Sequence, residues 1–333
     1  MTDRAELADI FLAATPWGLA DRALLAGDAS NRRYERLTDP NTGKTAVLMD
    51  ASPEKGEDVR PFVKIAKYLC SQNLSAPEIL AEDAENGFLL IEDLGDDLFA
   101  RVIPHAPELE RPLYEAATDV LVQLFSAPMP DLDPYGPRLM AEMAGLAIRK
   151  YRAGILGSHD EDLQVRFENA FEDILRGTVK GDYVIVQRDY HAENLLWLPE
   201  RDGTARVGLL DFQDARSGHP AYDLVSMLQD ARRDVPAGVE MQMLARFIAK
   251  TGVDESGFRT AYTVLGVQRN LRILGVFARL SLDYGKPHYV DLIPRVWDHM
   301  IRGLDHPALA PVSNMLRDAL PAPVPENLAK LRP

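Results

Sequence analysis

The sequence predicts an α+β protein with a small N-terminal lobe built on an antiparallel sheet and a larger, mostly helical C-terminal lobe. Runs of β-type residues separated by turn signals lie before residue 95, and helical spacing of apolar residues dominates after it. The length of 333 residues suits about two domains or lobes. We therefore assign an N-terminal lobe to 1–94 and a C-terminal lobe to 95–333.

The N-terminal lobe is expected to contain two helices and a sheet. The predicted elements, in chain order, are a helix at 3–14, strands at 22–27, 33–38 and 45–50, a helix through 62–69 and a strand at 88–91. Pro16 ends the first helix, and "GD" and "DPNTG" supply turns between strands.

The C-terminal lobe shows helical spacing on both sides of a short β-rich insertion. Apolar residues recur at helical spacing through 113–124 and 163–174, and the chain is helical again from 221 to a Pro-rich tail near Pro321. Between about 183 and 211 lie the apolar runs "YVIV", "LLW" and "VGLLDF". This insertion is predicted to be a β-hairpin within a helical lobe.

The composition excludes several classes of protein. A net charge of −14 leaves no broad basic face for nucleic acid, although a nucleotide needs only a local pocket. Cys70 is the only cysteine, so an internal disulfide is impossible and a reducing, cytoplasmic location is expected. No apolar run approaches the ~18 residues of a spanning helix, and the N-terminus does not read as a signal peptide.

The stretch "VIVQRDYHAENLLW" places a polar loop directly before the predicted hairpin. Asp202-Gly203 is the turn signal of that hairpin. A register in which Leu198 pairs with Val207 and Leu195 with Leu210 brings Asn194 opposite Asp211 at the open end. The loop can then fold back so that Asp189 lies near the same end.

These three oxygen-bearing residues predict phosphoryl-transfer chemistry. Oxygen ligands from Asn194 and Asp211 suit Mg²⁺, which keeps waters and takes phosphate oxygens as its other ligands. Asp189 remains available to accept a proton from a substrate hydroxyl. The competing interpretation is that the polar residues only solvate a turn. We assign no chemical role to His191, because a single loop histidine is more often a structural residue.

The motifs "QRDYHAENLLW" and "VGLLDFQDARSGHPAYDL", preceded by a β-rich lobe, resemble the aminoglycoside phosphotransferase and choline kinase-like superfamily. The resemblance implies a bilobal protein-kinase-like fold, ATP and Mg²⁺ as cofactors, and a small-molecule substrate. It also implies Asp189 as catalytic base and Asn194 and Asp211 as metal ligands.

The same resemblance implies roles for further residues. Gln187, Arg188 and Asp223 would support the catalytic loop, with Asp223 as a buried carboxylate. Glu92, Asp93 and Leu94 would form the connector whose backbone pairs with adenine.

Within this superfamily the chain is most similar to bacterial anomeric amino-sugar kinases of cell-wall recycling, which phosphorylate the 1-hydroxyl of N-acetylmuramate and N-acetylglucosamine. The features that carry the similarity include "GDASNRRYERL", "LLIEDLG" and "KPHYVDLIPRVWDHM".

Two departures from the family pattern concern the phosphates of ATP. The first loop, "AGDASNRRY", has one glycine, so its phosphate contacts would come from backbone N–H groups of Ala29, Ser30 and Asn31. The third strand offers Met49 in place of the usual lysine, and Phe62 stands at the position of its glutamate partner. Losing both members of an ion pair avoids a buried unpaired charge.

A guanidinium group can replace the missing lysine because it binds phosphate bidentately, and Arg32 and Arg33 are the candidates. A solvated strand end is the competing interpretation for both. Gln187 stands where many kinase-like loops have histidine, and its amide could hold the loop by similar hydrogen bonds.

The acceptor site is predicted in the C-terminal helices. Its candidate residues combine charge with aromatic surface and are Arg269, Arg272, Tyr284, His288 and Trp297. Their basic character favours an anionic or neutral sugar over a polycationic aminoglycoside. The alternatives are an aminoglycoside or choline/homoserine-type kinase, a non-catalytic nucleotide-binding module, and a metal-dependent phosphohydrolase.

Overall fold

The computed structural model describes residues 3–25 and 31–332. The chain forms two compact units. The first comprises Met1–Val120 and Glu193–Ala215, and the second comprises Leu121–Ala192 and Arg216–Pro333. The chain therefore leaves the second unit and enters the first between Ala192 and Glu193, within the polar loop identified above.

The strands are β1 (Asp21–Leu24), β2 (Arg33–Thr38), β3 (Thr45–Asp50), β4 (Ile79–Asp83), β5 (Phe88–Glu92), β6 (Val184–Val186), β7 (Leu195–Trp197), β8 (Val207–Leu209) and β9 (Arg216–Gly218). The helices are α1 (Arg4–Ala13), α2 (Arg60–Ser71), α3 (Phe99–His105), α4 (Glu110–Ser126), α5 (Pro137–Ala144), α6 (Ala153–Leu156), α7 (Glu161–Thr178), α8 (Ala221–Leu228), α9 (Ala237–Thr251), α10 (Glu255–Tyr284), α11 (Ile293–Gly303), α12 (Ala310–Ala319) and α13 (Pro325–Ala329). A π-helical segment occupies Ala147–Arg152, and 3₁₀ turns occupy Pro53–Lys55, Pro107–Leu109, Gly203–Arg206, Pro287–Leu292 and Pro307–Leu309.

In the described part of the first unit, an antiparallel sheet has the strand order β1-β2-β3-β5-β4. Side chains alternate between the two faces of β2. Glu35 and Leu37 are buried on one face, and Tyr34 and Arg36 point to the other. The strands predicted at 33–38 and 45–50 are confirmed with the same bounds. The sequence prediction missed β4.

Helix α1 packs on the Leu37 side of the sheet. Phe11 stacks against Phe88 with ring centroids 5.8 Å apart, in a buried cluster that includes Leu37. Arg4 fixes the start of the helix through an ion pair of 2.6 Å with Asp50. Its guanidinium also lies 3.9 Å from the centre of the Phe88 ring. One face of the sheet is thereby closed, and the Tyr34 and Arg36 face remains for a ligand.

The second unit is organised around α10, whose 30 residues span about 45 Å. Buried residues lie all around its middle, which is typical of a helix enclosed by others. It packs against α5, α8, α11 and the π-helical segment. The sheet of the first unit and the helices of the second confirm the predicted α+β class.

The compact units do not divide the chain at the predicted lobe boundary. Helix α3, most of α4 and the β7–β8 hairpin belong to the first unit. The lobes at 1–94 and 95–333 remain a sequence prediction. Among the described helices, none combines the length and apolar character needed to cross a membrane.

Gly275 on α10 marks a close approach to the backbone of Leu146, and this packing can be tested. A Cβ atom added there would lie 2.3 Å from the carbonyl carbon of Leu146, far inside contact distance. We expect Gly275→Ala to lower the free energy of unfolding by about 1–3 kcal/mol through overpacking. Thermal or urea unfolding monitored by circular dichroism measures this change.

Gly177 near the end of α7 is the matched control, because a Cβ there meets nothing within 4 Å. Gly177→Ala should leave stability unchanged or raise it by about 0.5 kcal/mol. Equal stabilities for the two variants would contradict the close packing at Gly275.

Candidate active site

The start of the polar loop is held by one face of α8. The buried Asp223 carboxylate accepts hydrogen bonds from the backbone N–H groups of Gln187 (2.6 Å) and Arg188 (2.9 Å). Ser226 lies three residues after Asp223, on the same face of α8. Its hydroxyl donates to the Arg188 carbonyl oxygen at 3.1 Å. Both peptide groups that flank Arg188 are therefore bonded to one short helix. This is the supporting role that the sequence predicts for Asp223.

Arg188 adopts a left-handed backbone conformation with φ of 73°. This conformation costs a non-glycine residue on the order of 1–2 kcal/mol, so surrounding contacts must stabilise it. The hydrogen bonds to Asp223 and from Ser226 do so, directly before Asp189. Burial raises the pKa of Asp223 to about 6, although the two N–H donors and Arg269 work to lower it.

Gln187 is a buried residue whose backbone N–H is bonded to Asp223. Its Nε2 atom has no hydrogen-bond partner among the described residues. A supporting role for the Gln187 amide stays a prediction, and the bond that the structure shows is made by the backbone.

Asp189 lies among positive charges, with its side chain 32% exposed. Its Oδ1 atom is 3.8 Å from a guanidinium nitrogen of Arg269. Burial alone would raise the pKa of Asp189, but Arg272 and then Arg269 outweigh it and hold that pKa below the usual value. Asp189 is therefore an ionised, partly accessible carboxylate that can accept a proton near neutral pH.

His191 is a buried neutral residue beside this carboxylate. Burial lowers its pKa to about 4. Its Nε2 atom accepts a hydrogen bond from Arg232 at 3.3 Å, so in the neutral ring the proton belongs on Nδ1. The arrangement supports the structural interpretation of His191.

In the first unit, Asn194 and Asp211 lie together at the open end of the β7–β8 hairpin. The Asn194 amide is 3.4 Å from Oδ2 of Asp211, and Gln213 donates to Oδ1 at 2.6 Å. Asp211, with φ of 57°, also has a left-handed backbone. Two side chains thus orient this carboxylate, and the sequence analysis did not identify Gln213 as one of them.

The hairpin register differs by one residue from the predicted one. Leu195 pairs with Leu209 instead of Leu210, and Asn194 lies opposite Leu210, whose N–H donates to its carbonyl oxygen at 3.0 Å. The connection contains the 3₁₀ turn Gly203–Arg206 instead of a tight two-residue turn. The left-handed backbone of Asp211 still directs its side chain toward Asn194.

The donor set of Asn194 and Asp211 fits a magnesium ion. A carboxylate and an amide oxygen are hard ligands, and Mg²⁺ completes its shell with water and phosphate oxygens. The Asn194 amide would present its oxygen to the ion, a rotation that exchanges two atoms of nearly equal size.

A cavity of about 360 Å³ in the first unit adjoins this pair. Its lining includes all three predicted connector residues, Glu92, Asp93 and Leu94, together with Asn194 and Asp211. The size lies within the range of small-molecule sites. The structure therefore brings the predicted adenine connector and the predicted metal ligands to one cavity.

Apolar groups occupy the region where the usual lysine–glutamate pair is missing. Met49 is 1% exposed, and the Phe62 ring lies 4.8 Å from the Phe212 ring, centre to centre. Phe62 also lines the cavity, and Phe212 follows Asp211 directly. An aromatic contact therefore lies beside the backbone of the candidate metal ligand, at the position where the family resemblance implies the missing ion pair.

The two candidate arginines lie on different sides of β2. Arg33 is 61% exposed and pairs with Glu35 at 2.9 Å, on the face covered by α1. Arg32 pairs with Glu57 at 2.9 Å, with only 12% of its side chain exposed. Arg32 lies directly before β2 and interacts with Tyr34, which lines the cavity. The described residues that line the cavity include neither Arg32 nor Arg33.

The remaining residues of the predicted phosphate loop are only partly described. Ala29 and Ser30 lie outside the described residues. The Asn31 N–H donates to Oε1 of Glu57 at 3.3 Å, which joins this end of the loop to the same glutamate as Arg32.

Arg36 is a cavity residue that the sequence analysis missed. It points to the same face as Tyr34 and pairs with Asp93 and Asp96, each at 2.7 Å. This contact joins β2 to the predicted adenine connector. Strict alternation along "RYERL" was the available signal, because it puts Arg36 on the open face of the sheet.

The five predicted acceptor residues fall into two groups. Arg269 and Arg272 are near Asp189. Tyr284 is 63% exposed at the end of α10, about 18 Å along the helix from Arg272, and His288 is exposed beyond it. Trp297 is partly buried with its ring 6.2 Å from that of Tyr151.

Helical spacing explains this division. Side chains twelve or more positions beyond Arg272 lie several turns away along the helix and its continuation. The structure therefore does not bring Tyr284 or His288 together with the arginines, and it gives Trp297 an aromatic packing partner.

The loop of Asp189 in the second unit and the pair of Asn194 and Asp211 in the first are each candidate parts of a phosphotransferase site. The model of the family described as "Phosphotransferase enzyme family" matches residues 21–259, and the chain belongs to that family.

Its relatives include enzymes named N-acetylmuramate/N-acetylglucosamine kinase. The one from Caulobacter vibrioides is 40% identical, over 90% of this chain and 92% of its own. The one from Pseudomonas aeruginosa is 33% identical, over 93% of this chain and 92% of its own. The predicted family resemblance is confirmed, and the chain is a small-molecule kinase.

Solved structures confirm the predicted kinase-like fold. An ADP-bound aminoglycoside phosphotransferase matches with a TM-score of 0.60 and 13% identity, over 89% of this chain and 96% of its own. An ethanolamine kinase from Plasmodium vivax matches with a TM-score of 0.59 and 12% identity, over 87% and 83%. At these identities the likeness concerns the fold alone.

Replacing Asp223 with Asn tests whether the Asp223 carboxylate holds the loop that carries Asp189. The change turns one acceptor oxygen into an NH₂ donor that faces a backbone N–H of Gln187 or Arg188. We expect the free energy of unfolding to fall by about 1–3 kcal/mol. We expect kcat to fall roughly 10- to 100-fold because the base is misplaced. Urea unfolding and steady-state kinetics measure the two effects.

Ser226→Ala is the companion variant. It removes the hydrogen bond to the Arg188 carbonyl oxygen and the one that the Ser226 hydroxyl accepts from Arg269. It should cost about 1–3 kcal/mol of stability, because a buried donor of Arg269 loses its partner. An Asp223→Asn enzyme with unchanged kcat would show that these bonds do not position the base.

Proposed function

We propose that the chain transfers the terminal phosphoryl group of ATP, with Mg²⁺, to the anomeric hydroxyl of an N-acetylated amino sugar. The observation that carries the proposal is the ionised Asp189 beside Arg269, on a loop that continues into Asn194. The sugar class follows from the named relatives, which cover most of this chain. A cytoplasmic location is part of the proposal, since ATP is available there.

In the proposed reaction Asp189 accepts the proton of the acceptor hydroxyl as that oxygen attacks phosphorus. The surrounding arginines keep the carboxylate ionised before the step. Asn194 and Asp211 would hold Mg²⁺, which supplies neutralisation of phosphate charge when bound. The role of the protein is otherwise to orient the hydroxyl and the base, because phosphoryl transfer needs little covalent help.

The nucleotide would occupy the cavity of the first unit. Backbone groups of Glu92, Asp93 and Leu94 are the proposed contacts to adenine, because all three residues line that cavity. Arg32 is the proposed phosphate-binding cation. It lies directly before β2, interacts with the cavity residue Tyr34, and already has a carboxylate partner, Glu57, as the usual lysine does.

The charge around Asp189 favours an acceptor that is neutral or negative. Arg188, Arg269 and Arg272 all act on this carboxylate, within a protein whose net charge is −14. A polycationic aminoglycoside would meet repulsion there. Aminoglycoside and choline or homoserine kinases therefore rank below an amino-sugar kinase, and the accessible ionised base argues against a non-catalytic module.

A coupled ADP-release screen over amino sugars, aminoglycosides, choline and homoserine tests the proposal. We expect turnover with N-acetylmuramate or N-acetylglucosamine and none when Mg²⁺ is chelated. Asp189→Asn should lower kcat at least ~100-fold because the general base is lost.

Asp182→Asn makes the same chemical change at an exposed position outside the site and should retain activity. A protein that binds ATP yet releases no ADP with any acceptor would refute the kinase proposal.

Arg32 and Arg33 provide a matched pair for the phosphate contact. We expect Arg32→Ala to raise the Michaelis constant for ATP roughly 10-fold, through loss of a charge-assisted contact. The Michaelis constant for the sugar should not change. Arg33→Ala should leave both constants near their original values, since Arg33 lies on the α1 side. Initial rates at varied ATP concentration measure the difference, and equal effects of the two variants would remove Arg32 from the phosphate site.

A further inference from the structure

Helix α10 places two arginines beside Asp189. Arg269 and Arg272 are three positions apart and so lie on one helix face. Both lower the pKa of the Asp189 carboxyl, against a burial effect that would raise it. The separation along the helix axis is about 4.5 Å.

The two arginines have different surroundings. Arg269 is 5% exposed and donates to the Ser226 hydroxyl at 2.6 Å, which joins it to the loop support. Arg272 is only partly buried, and its neighbours include the Tyr222 hydroxyl. Among the described residues, no carboxylate forms an ion pair with Arg272 within 4.0 Å.

Arginines supply the positive charge beside the Asp189 carboxylate. Arg272 acts on it most strongly, followed by Arg269, and Arg188 acts on it as well. His191 is neutral because burial lowers its pKa to about 4, and Asp230 and Arg232 act on that ring with opposite signs. Positive charge directly beside Asp189, inside an acidic protein, favours an anionic group on the substrate.

We propose that Arg272 binds the carboxylate of an anionic acceptor and so makes the enzyme favour N-acetylmuramate over N-acetylglucosamine. This inference rests on the proposed function. The two sugars share the anomeric hydroxyl and the acetamido group, and N-acetylmuramate alone carries a lactyl carboxylate, on the oxygen of C3. Arg269 would remain with the loop, while the neighbouring Arg272 meets the carboxylate one helical turn away.

Kinetics of Arg272→Gln with both sugars test this assignment. Arg272 also acts on Asp189, so any loss of activity that comes from a changed Asp189 affects both sugars equally. The loss of a carboxylate contact affects N-acetylmuramate alone. We expect kcat/KM for N-acetylmuramate to fall about 10- to 100-fold more than that for N-acetylglucosamine, mainly through KM.

Two companion variants complete the design. Arg272→Lys keeps the charge but loses the bidentate geometry, so it should restore part of the preference for N-acetylmuramate. It also serves if Arg272→Gln does not fold by circular dichroism. Arg259→Gln is the matched control on α10, since Arg259 is 42% exposed and pairs with Glu255. It should leave both sugars unaffected.

Equal losses for the two sugars in Arg272→Gln, with no restoration of preference in Arg272→Lys, would overturn the assignment and leave the kinase proposal intact. A wild-type enzyme that phosphorylates N-acetylglucosamine at least as efficiently as N-acetylmuramate would overturn it as well. A wild-type enzyme that phosphorylates neither sugar would overturn the proposed acceptor class, and this inference with it.

Discussion

The buried carboxylate of Asp223 is the contact on which the catalytic loop depends. Its two oxygens accept the N–H groups of Gln187 and Arg188, and Ser226 on the same helix face bonds the next carbonyl oxygen. These bonds stabilise a left-handed Arg188 that would otherwise be unfavourable. The direction of Asp189 follows from that backbone, so a short buried helix controls the position of an accessible carboxylate.

The charge that surrounds Asp189 is opposite in sign to the net charge of the chain. The chain is acidic, yet the carboxylate of Asp189 lies among arginines that keep it ionised. In the first unit, the region usually occupied by a lysine–glutamate pair is apolar, with Phe62 against Phe212. Removing both charges avoids an unpaired buried ion. The consequence is that phosphate contacts must come from elsewhere on the sheet, for which Arg32 is our proposal.

Much of the candidate site was predictable because its residues share a recognisable type and spacing. Asp189, Asn194 and Asp211 were identified from one loop and one hairpin, and Asp223 from its motif. The hairpin register was wrong by one residue because the turn signal at Asp202-Gly203 does not reveal the 3₁₀ turn that follows it. Arg36 was missed, although strand alternation alone places it on the open face of the sheet.

The sequence by itself determined the α+β class, the family and the residues available for proton transfer and metal binding, because periodicity and short motifs are local properties. Only the tertiary structure decided which arginines face which site. Arg32 and Arg33 are adjacent in sequence but point to opposite faces of a strand, and Arg272 and Tyr284 share a helix but lie about 18 Å apart. Alternation and helical rise separate the members of each pair, but which face of the strand or helix meets a site depends on packing against elements that are distant along the chain, and local sequence does not encode that packing.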